Sequence, residues 1–191
     1  MDWFEEMYRK YCNDLPVLDV GCGHKKAFNF PYTKVDKFIV SNKKKIEADY
    51  YLDFCDMPVF EDGKFAFVRA CECIEHTRTP GKALNEWVRV LKVGGIIAIG
   101  YPGNIPKFTK EVAEEMERRV KALTVSEEEY IKIGGDITHI VETPDGKKCI
   151  DVHFGLCTTV EMKLFIPSNL VILEEKEQGT HCYIVLKKEE Q

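Results

Sequence analysis

Residues 17–23 read Val-Leu-Asp-Val-Gly-Cys-Gly, a short apolar run that ends in two glycines separated by one residue. The run predicts a buried strand over 17–20, after which the chain must turn at once. Glycine adopts positive φ at little cost, so Gly21 and Gly23 predict a tight turn whose backbone approaches a ligand closely. Open α/β sheets bind nucleotide-like ligands at such turns, at the carboxyl ends of their strands. A plain turn also explains a Gly-x-Gly, so the signals that follow decide the interpretation.

The composition indicates one globular domain with an acidic balance. The 191 residues are 45% hydrophobic and 31% charged, and the formal net charge is −5. This length suffices to bury roughly two-thirds of the unfolded surface. An acidic chain lacks the clustered basic charge that binding to a nucleic-acid backbone needs, so we favour a small-molecule partner over nucleic acid. The basic run at 43–45 is explained by a solvated loop, with an anion-attracting rim as the alternative.

No segment of the sequence predicts membrane insertion or export. No apolar run approaches the roughly 18 residues of a membrane-spanning helix. Residues 1–6 lack the basic region and the long apolar stretch of a secretory signal, so we expect a cytoplasmic protein.

The cysteines predict neither a metal site nor a disulfide framework. No two of them form a Cys-x-x-Cys pair, and Cys71 and Cys73 are too close together for the usual zinc pair. Several lie in apolar strand patterns, where a free cysteine behaves as a small hydrophobic residue. We therefore expect reduced and mostly buried thiols at Cys12, Cys22, Cys55, Cys71, Cys73, Cys149, Cys157 and Cys182.

Strand signals alternate with helix signals and predict an α/β fold with a parallel sheet. Aromatic residues at helical spacing predict an amphipathic helix over 2–12. Thr79, followed by proline, predicts the cap of a second helix that ends at the glycine pair 94–95. Only residues 24–35 separate the glycine turn from Asp36, so the crossover helix there must be short or missing. The predicted strands of this part are 17–20, 34–40, 50–54, 65–71 and 96–101.

Beyond residue 101 the pattern is less regular. In chain order it predicts a helix over 109–123, a short helix broken at 134–135, a hairpin of 137–141 with 148–152, a helix opened by a capping box at 158–161, and a hairpin of 170–173 with 181–186. We expect residues 102–154, assigned to no sheet beyond their own hairpin, to be an insertion that covers the substrate and selects it.

Three motifs in a fixed order carry a family resemblance. They are Leu-Asp-Val-Gly-Cys-Gly at 18–23, Asp-Phe-Cys-Asp-Met-Pro at 53–58, and Glu-Cys-Ile-Glu-His at 72–76, followed by Arg-Val-Leu-Lys-Val-Gly-Gly at 89–95. With them the chain resembles the class I S-adenosylmethionine-dependent methyltransferases of the short, methyltransferase-11-like type. The resemblance implies an α/β, Rossmann-like, doubly wound and mostly parallel seven-stranded sheet with an antiparallel C-terminal hairpin, in a single domain over 1–191.

The resemblance also implies S-adenosyl-L-methionine as the cofactor. Asp36 would accept hydrogen bonds from both ribose hydroxyls, since a carboxylate has the geometry for a diol. Asp53, or Asp56 in its place, would accept from the adenine amino group. Asp19 would face the positively charged end of the methionine moiety. The other implied contacts are Gly21, Cys22 and Gly23 of the turn, the Phe54 N–H at an adenine nitrogen, Cys71 beside the sulfonium and His76 near the methionine end.

Methyl transfer requires above all that the acceptor be positioned and water excluded. A base is needed only where the acceptor is protonated. The candidates for that base near the expected pocket mouth are His153, His76 and Tyr101. His153 precedes the capping box, where similar enzymes often carry a histidine.

Two other functions stay open. A nicotinamide-dependent oxidoreductase is disfavoured, because its Gly-x-Gly-x-x-Gly fingerprint needs a glycine where this chain has Lys26. The second is a non-catalytic binding module that keeps the fold for partner interaction. Departures from the family pattern at Lys25 and Ala66 favour it, and the acids in the first three predicted strands oppose it.

Overall fold

The computed structural model describes residues 2–41, 43–77, 79–103, 140–150 and 162–190. The helices and strands are α1 Trp3–Tyr11, β1 Val17–Val20, β2 Thr33–Asp36, β3 Val40–Ser41, β4 Lys44–Lys45, β5 Tyr50–Tyr51, β6 Phe65–Cys71, a 3-10 helix Ile74–His76, α2 Pro80–Val90, β7 Leu91–Pro102, β8 Ile140–Glu142, β9 Lys148–Ile150, β10 Leu170–Gln178 and β11 His181–Lys188. The helices predicted at 109–123, around 134–135 and from 158 to 161 lie outside the described residues.

Seven strands of the described ranges form one sheet in the order β10-β11-β7-β6-β1-β2-β5. The neighbours among β5, β2, β1, β6 and β7 pair in parallel. β11 is antiparallel to both of its neighbours, β7 and β10. This order confirms the predicted mostly parallel α/β sheet with an antiparallel C-terminal hairpin, whose turn contains Gly179 at φ +61°.

The large sheet is covered on both faces, because its central strands carry apolar residues at successive positions. All four residues of β1 are buried. On one face, α2 packs Leu84 and Trp87 into the core. On the other face, α1 contributes Phe4 and Met7 to a second cluster that includes Val17. Since side chains alternate along a strand, Asp19 points to the same face as Val17, beneath α1.

An aromatic loop replaces the crossover helix between β1 and β2. Residues 21–32 form turns and contain no helix, as the short spacing predicts. Phe28 stacks on Phe30 with ring centroids 4.9 Å apart, and Tyr32 meets Phe28 edge-on at 5.3 Å. The Tyr32 hydroxyl accepts a hydrogen bond from the Ala27 N–H at 2.9 Å. These contacts close the loop over the α1 face without helical backbone bonds.

The second helix ends earlier than the sequence predicts. α2 stops at Val90, and β7 begins at Leu91 instead of after the glycine pair. Residues 92–95 form a bulge in β7, with Gly94 at φ +75°. The predicted helix was too long because Leu91 continues its apolar stripe. The hydrophobic periodicity does not show where the backbone changes from helix to strand.

Three other boundaries differ. Thr79 occupies the N-cap, but its side chain makes no capping hydrogen bond; its carbonyl accepts from the Lys82 N–H instead. The second strand of the large sheet ends at Asp36, and the third covers only Tyr50–Tyr51. The chain leaves the sheet after Asp36 because Phe38 N–H bonds back to its carboxylate at 3.0 Å and forms a turn.

Four described strands form a second sheet in the order β4-β3-β8-β9. β8 and β9 make the predicted hairpin around a turn at 143–146. β3 pairs with β8, and the Ile39 N–H donates to the Glu142 carbonyl at 2.7 Å. Part of the 102–154 segment is thus joined by backbone bonds to the chain just beyond Asp36, which corrects the expectation that it pairs only with itself.

Candidate functional site

Five strands have one end at the same edge of the large sheet. β1 ends there at the glycine turn, β2 at Asp36, β6 at Cys71 and β7 at Pro102. β11 runs in the opposite direction, and its first residue, His181, pairs with Pro102. This is the carboxyl edge, where open α/β sheets bind their ligands.

The two glycines of the turn have positive φ but different surroundings. Gly21 lies at φ +62°, and a Cβ on it would be 2.4 Å from the Cβ of Cys73. Gly23 lies at φ +55°, and a Cβ on it would meet nothing within 4 Å. Both conformations favour glycine. Gly21 is therefore required by packing against protein, and Gly23 faces open space at the sheet edge.

Asp36 fastens the turn to the end of β2. Its Oδ2 accepts a hydrogen bond from the Gly23 N–H at 2.9 Å, and its Oδ1 accepts from the Phe38 N–H at 3.0 Å. The residue is 6% exposed. A carboxylate accepts up to about four hydrogen bonds, so these two are compatible with further donors such as a diol.

Asp19 has a protein partner that the sequence analysis missed. Its Oδ1 accepts a hydrogen bond from Arg69 Nη1 at 2.6 Å, and the two side chains are 0% and 6% exposed. The Phe4 ring lies 4.5 Å from Arg69 Cζ, a cation–π contact. One oxygen of the Asp19 carboxylate therefore faces a buried guanidinium, and the role of Asp19 at the methionine end of a ligand stays a prediction. The available signal was Arg69 itself, a charge within an otherwise apolar strand.

The Asp19–Arg69 pair is costly to bury. Burial raises the pKa of Asp19 to about 6, although the positive charge of Arg69 and its hydrogen bond pull the pKa down. Among the described residues, Asp19 Oδ2 and Arg69 Nε have no hydrogen-bond partner. A buried polar atom without a partner costs about 1–3 kcal/mol. The fold therefore keeps the Asp19 and Arg69 side chains buried beneath the glycine turn at a substantial cost in folding free energy.

The loop after β5 presents Asp53 and buries Phe54. Asp53 Oδ1 accepts from the Cys55 N–H at 2.9 Å, and Oδ2 accepts from Lys37 Nζ at 3.2 Å. Partial burial would raise the pKa of Asp53, but these two donors outweigh it and lower the pKa below its usual value. The Phe54 carbonyl accepts from Trp87 Nε1 at 3.1 Å. Trp87 thus anchors the loop while Asp53 stays half-exposed and ionised.

The thiols near the turn are neutral. Burial raises the pKa of Cys71 to about 11 and that of Cys22 to about 12. A thiol is nucleophilic as the thiolate, so both positions suit a pocket lining rather than a nucleophile. Six cysteines are free thiols: Cys12, Cys22, Cys55, Cys71, Cys73 and Cys182, of which Cys12 and Cys71 are half-buried and the other four are buried.

The three candidates for a base have different surroundings. His76 ends the 3-10 helix that follows β6, with its ring Nε2 4.0 Å from Glu75 Oε1 and its side chain 25% exposed. Tyr101 is 1% exposed and belongs to the core beneath α2, which does not fit the expected place at a pocket mouth. β7 turns this side chain inward because Tyr101 follows the same alternation as Ile97 and Ile99. His153 lies outside the described residues.

Glu72 and His181 form an ion pair that the sequence analysis did not single out. His181 Nε2 lies 2.7 Å from Glu72 Oε1, and both side chains are partly exposed. Glu72 follows β6 with φ +52°, an uncommon conformation for a non-glycine residue that concentrates at functional sites. The antiparallel direction of the last strand was the usable signal, because it returns His181 to the carboxyl edge.

The described ranges contain no helix long and apolar enough to cross a membrane. Within the same ranges, no three His, Cys, Asp or Glu side chains lie close enough together to hold a metal ion.

Residues 18–99 match the family model described as a methyltransferase domain. A solved S-adenosylmethionine-dependent methyltransferase of Methanosarcina mazei is 16% identical, with a TM-score of 0.61 over 100% of both chains. A protein of Pyrococcus horikoshii is 18% identical, with a TM-score of 0.58 over 98% of this chain and 88% of that one. The 1,6-didemethyltoxoflavin-N1-methyltransferase of Burkholderia thailandensis, solved with 1,6-didemethyltoxoflavin and S-adenosylhomocysteine, is 10% identical, with a TM-score of 0.53 over 91% and 71%.

Proposed function

We propose that residues 18–99, which match a methyltransferase domain, are a class I methyltransferase domain with S-adenosylmethionine as its cofactor, and that the protein methylates a small-molecule acceptor. The observation that carries the proposal is the outer half of the glycine turn, which we define as Gly23 and the Asp36 carboxylate bonded to it. Gly23 borders open space at the carboxyl edge, and Asp36 lies beside it with its carboxylate bonded to the Gly23 N–H. A backbone that lacks a side chain next to a fixed carboxylate suits a ribose.

The described residues fit the donor. When bound, S-adenosylmethionine supplies a methyl group activated by its sulfonium. Asp36 would accept from the ribose hydroxyls, Asp53 would accept from the adenine amino group, and Gly23 would leave room for the ligand. Cys71, as a neutral thiol at the end of β6, lines the pocket without competing as a nucleophile. Asp19 acts from beneath, by holding Arg69 and the strand that leads into the turn.

The acceptor side lies towards Cys71, Pro102 and the Glu72–His181 pair. Glu72 holds His181 through Nε2, which orients the ring and leaves Nδ1, 3.3 Å from Thr180 Oγ1, as the nitrogen that would accept a proton. His181 joins His76 and His153 as a candidate for the base that an acceptor protonated at nitrogen or oxygen requires. The hairpin of β8 and β9 is the described part of the segment that we propose selects the acceptor.

Two observations support a small molecule over a macromolecule. The net charge of −5 opposes long-range attraction of a nucleic acid. The Burkholderia methyltransferase with the same fold was solved with a small molecule, 1,6-didemethyltoxoflavin. An acceptor of this class also agrees with a cytoplasmic protein, which we propose on the sequence.

Calorimetric titration with S-adenosylhomocysteine tests the donor assignment, with NAD as the matched control. We expect binding of the first ligand and none of the second. Binding of NAD alone would overturn the proposal in favour of the oxidoreductase.

The acceptor class is tested by measuring S-adenosylhomocysteine release from S-adenosylmethionine. A cell extract is separated by size, and each fraction is added to the protein. We expect release with the small-molecule fraction and not with the macromolecular one. Release with the macromolecular fraction alone overturns the acceptor class. Donor binding without release in either fraction favours a non-catalytic module.

A further inference from the structure

The aromatic loop that replaces the crossover helix borders a pocket of about 420 Å³ between the glycine turn and the β3–β4 hairpin. Its described lining includes Lys25, Lys26, Lys34 and Lys45, and one carboxylate, Glu47. Four lysines against one glutamate leave a formal excess of three positive charges. This excess lies on a chain whose net charge is −5, so it is a local feature and not a consequence of the overall composition.

Two carboxylates beside the pocket bond to the backbone of its lining residues and not to the ammonium groups: Asp36 accepts from the Gly23 N–H at 2.9 Å, and Asp49 accepts from the Lys34 N–H at 2.8 Å. Among the described residues, none of the four lysines takes part in an ion pair, although other exposed lysines do: Lys37 pairs with Asp53, and Lys163 pairs with Glu175. Like charges around one concave space repel each other and raise the local concentration of anions. An anion of two or more charges in the pocket relieves that repulsion.

His24 holds the two walls of the pocket together. Its Nε2 lies 2.9 Å from the Ser41 carbonyl oxygen, and its Nδ1 lies 3.2 Å from the Lys45 carbonyl oxygen. Carbonyl oxygens only accept hydrogen bonds, so the ring donates to them from its N–H. These contacts fix the lysine-bearing loop against the lysine-bearing hairpin.

We propose that this pocket, which adjoins the donor site through the shared lining residues Cys22 and Gly23, binds a phosphate-bearing small molecule in addition to the methyl donor. Ammonium groups bind phosphate as point charges, and three excess charges match a phosphate monoester or a diphosphate. The volume lies near the lower end of the roughly 300–1,000 Å³ of small-molecule sites, so there is room for an organic part. Phe30 and Tyr32, both half-buried, give that part an aromatic wall.

The proposal is independent of methyl transfer and is tested without S-adenosylmethionine. Inorganic pyrophosphate is the probe, titrated calorimetrically at low ionic strength into wild type and into Lys34→Gln/Lys45→Gln. We expect binding to wild type and a loss of about tenfold or more in the double variant, because each removed charge takes away a charge-assisted contact. Lys25→Gln/Lys26→Gln, on the exposed loop, serves as a second variant with the same expected loss if the first fails to fold.

The matched control is Lys44→Gln/Lys82→Gln, which removes the same charge from exposed lysines outside the pocket. Lys44 neighbours Lys45 on β4, and Lys82 lies on α2. We expect at most about a twofold loss here, from the change in overall charge. An equal loss in both doubles, or no binding to wild type, overturns the site. A single-stranded oligouridylate is the second ligand, and if it binds much more tightly than pyrophosphate and the control variant also weakens it, the small-molecule assignment is overturned.

Discussion

The inner half of the glycine turn, at Gly21, and its outer half, at Gly23, have different surroundings and different roles. Gly21 packs so closely that a Cβ would be 2.4 Å from the Cβ of Cys73, whereas Gly23, two residues later, borders empty space. Asp19 on the inner side is sealed against Arg69, whereas Asp36 on the outer side holds the backbone at a ligand edge. The inner half is therefore part of the folded core, and the outer half is a binding surface. Substitutions in the first region change stability, and those in the second change affinity.

The largest effect is expected from Arg69→Met in the inner half. Removing one partner of a buried pair leaves an uncompensated charge, so the free energy of unfolding falls by about 4 kcal/mol. The double variant Asp19→Leu/Arg69→Met removes both charges and recovers most of that loss. Urea denaturation of the three proteins measures both. A double variant as unstable as the single one would show that the lost stability comes from packing and not from an uncompensated charge.

The same variant has a pH dependence with a definite sign. Burial raises the pKa of folded Asp19 to about 6, above the roughly 3.9 of an unfolded chain. The folded state therefore binds this proton more tightly, and the stabilisation is full below about pH 4 and lost as the pH rises through about 6. Loss of Arg69 raises this pKa further, so Arg69→Met loses more stability at about pH 8 than at about pH 5. The reverse order would contradict the burial of the pair.

Gly21→Ala comes next, with Gly23→Ala as its control. At Gly21 the new Cβ overlaps Cys73, and the positive φ adds strain, so we expect a loss of about 3 kcal/mol. At Gly23 only the conformational strain applies, about 1 kcal/mol, but binding of S-adenosylhomocysteine is lost because the methyl group enters ligand space. Thermal unfolding and calorimetry separate the two. Cys73→Ala does not rescue Gly21→Ala, because its Cβ remains.

A smaller effect is expected from Asp36→Asn in the outer half. The amide keeps one oxygen for a backbone N–H, so the fold tolerates it better than alanine, which would leave the Gly23 and Phe38 N–H groups without their acceptor. The affinity for S-adenosylhomocysteine falls by about tenfold, because hydrogen bonds to a charged acceptor are replaced by weaker ones. Unchanged affinity in calorimetry would remove Asp36 from the ribose site.

The smallest effect is expected from Asp53→Asn. The carboxylate is 45% exposed, and its ion pair with Lys37 is 3.2 Å long, a surface pair of about 0–1 kcal/mol at most. Stability therefore changes little, and affinity falls by about threefold, because the amide oxygen still accepts from an adenine amino group. Asp56→Asn is the control. A larger loss in Asp56→Asn would exchange the two assignments.

The outer half was the more predictable from sequence, because its residues are defined by where strands end. β1 and β6 were predicted with their observed bounds, since continuous apolar runs bounded by turn residues are local signals. Gly23 follows directly from the end of β1, whereas Asp36 lay within the predicted strand 34–40, and the end of β2 at this residue was not predicted. The partner of Asp19 was not predictable in the same way: Arg69 is fifty residues away, and only the parallel register, which pairs Asp19 with Arg69, brings them together.

The second sheet was missed for a different reason. β3 and β4 are two residues long, and β4 consists of two exposed lysines. Neither shows alternation, so the sequence contains no periodic signal, and the pairing depends on β8, about a hundred residues later. The basic run at 43–45 indicated an anion-attracting rim only as an alternative. Of that run only Lys45 lines the pocket, and the other lysines come from two separate stretches, 25–26 and 34.

The strand order also bears on how the chain is made. β11 lies between β7 and β10, although it follows both in sequence. A ribosome releases β7, a strand with buried apolar residues, long before residues 181–188 emerge. During that interval one edge of β7 offers unpaired N–H and C=O groups, which is the kind of edge that recruits other chains. A translational pause before β11 therefore lengthens the exposure of a sticky nascent chain, and we expect chaperone dependence to track the delay at this step.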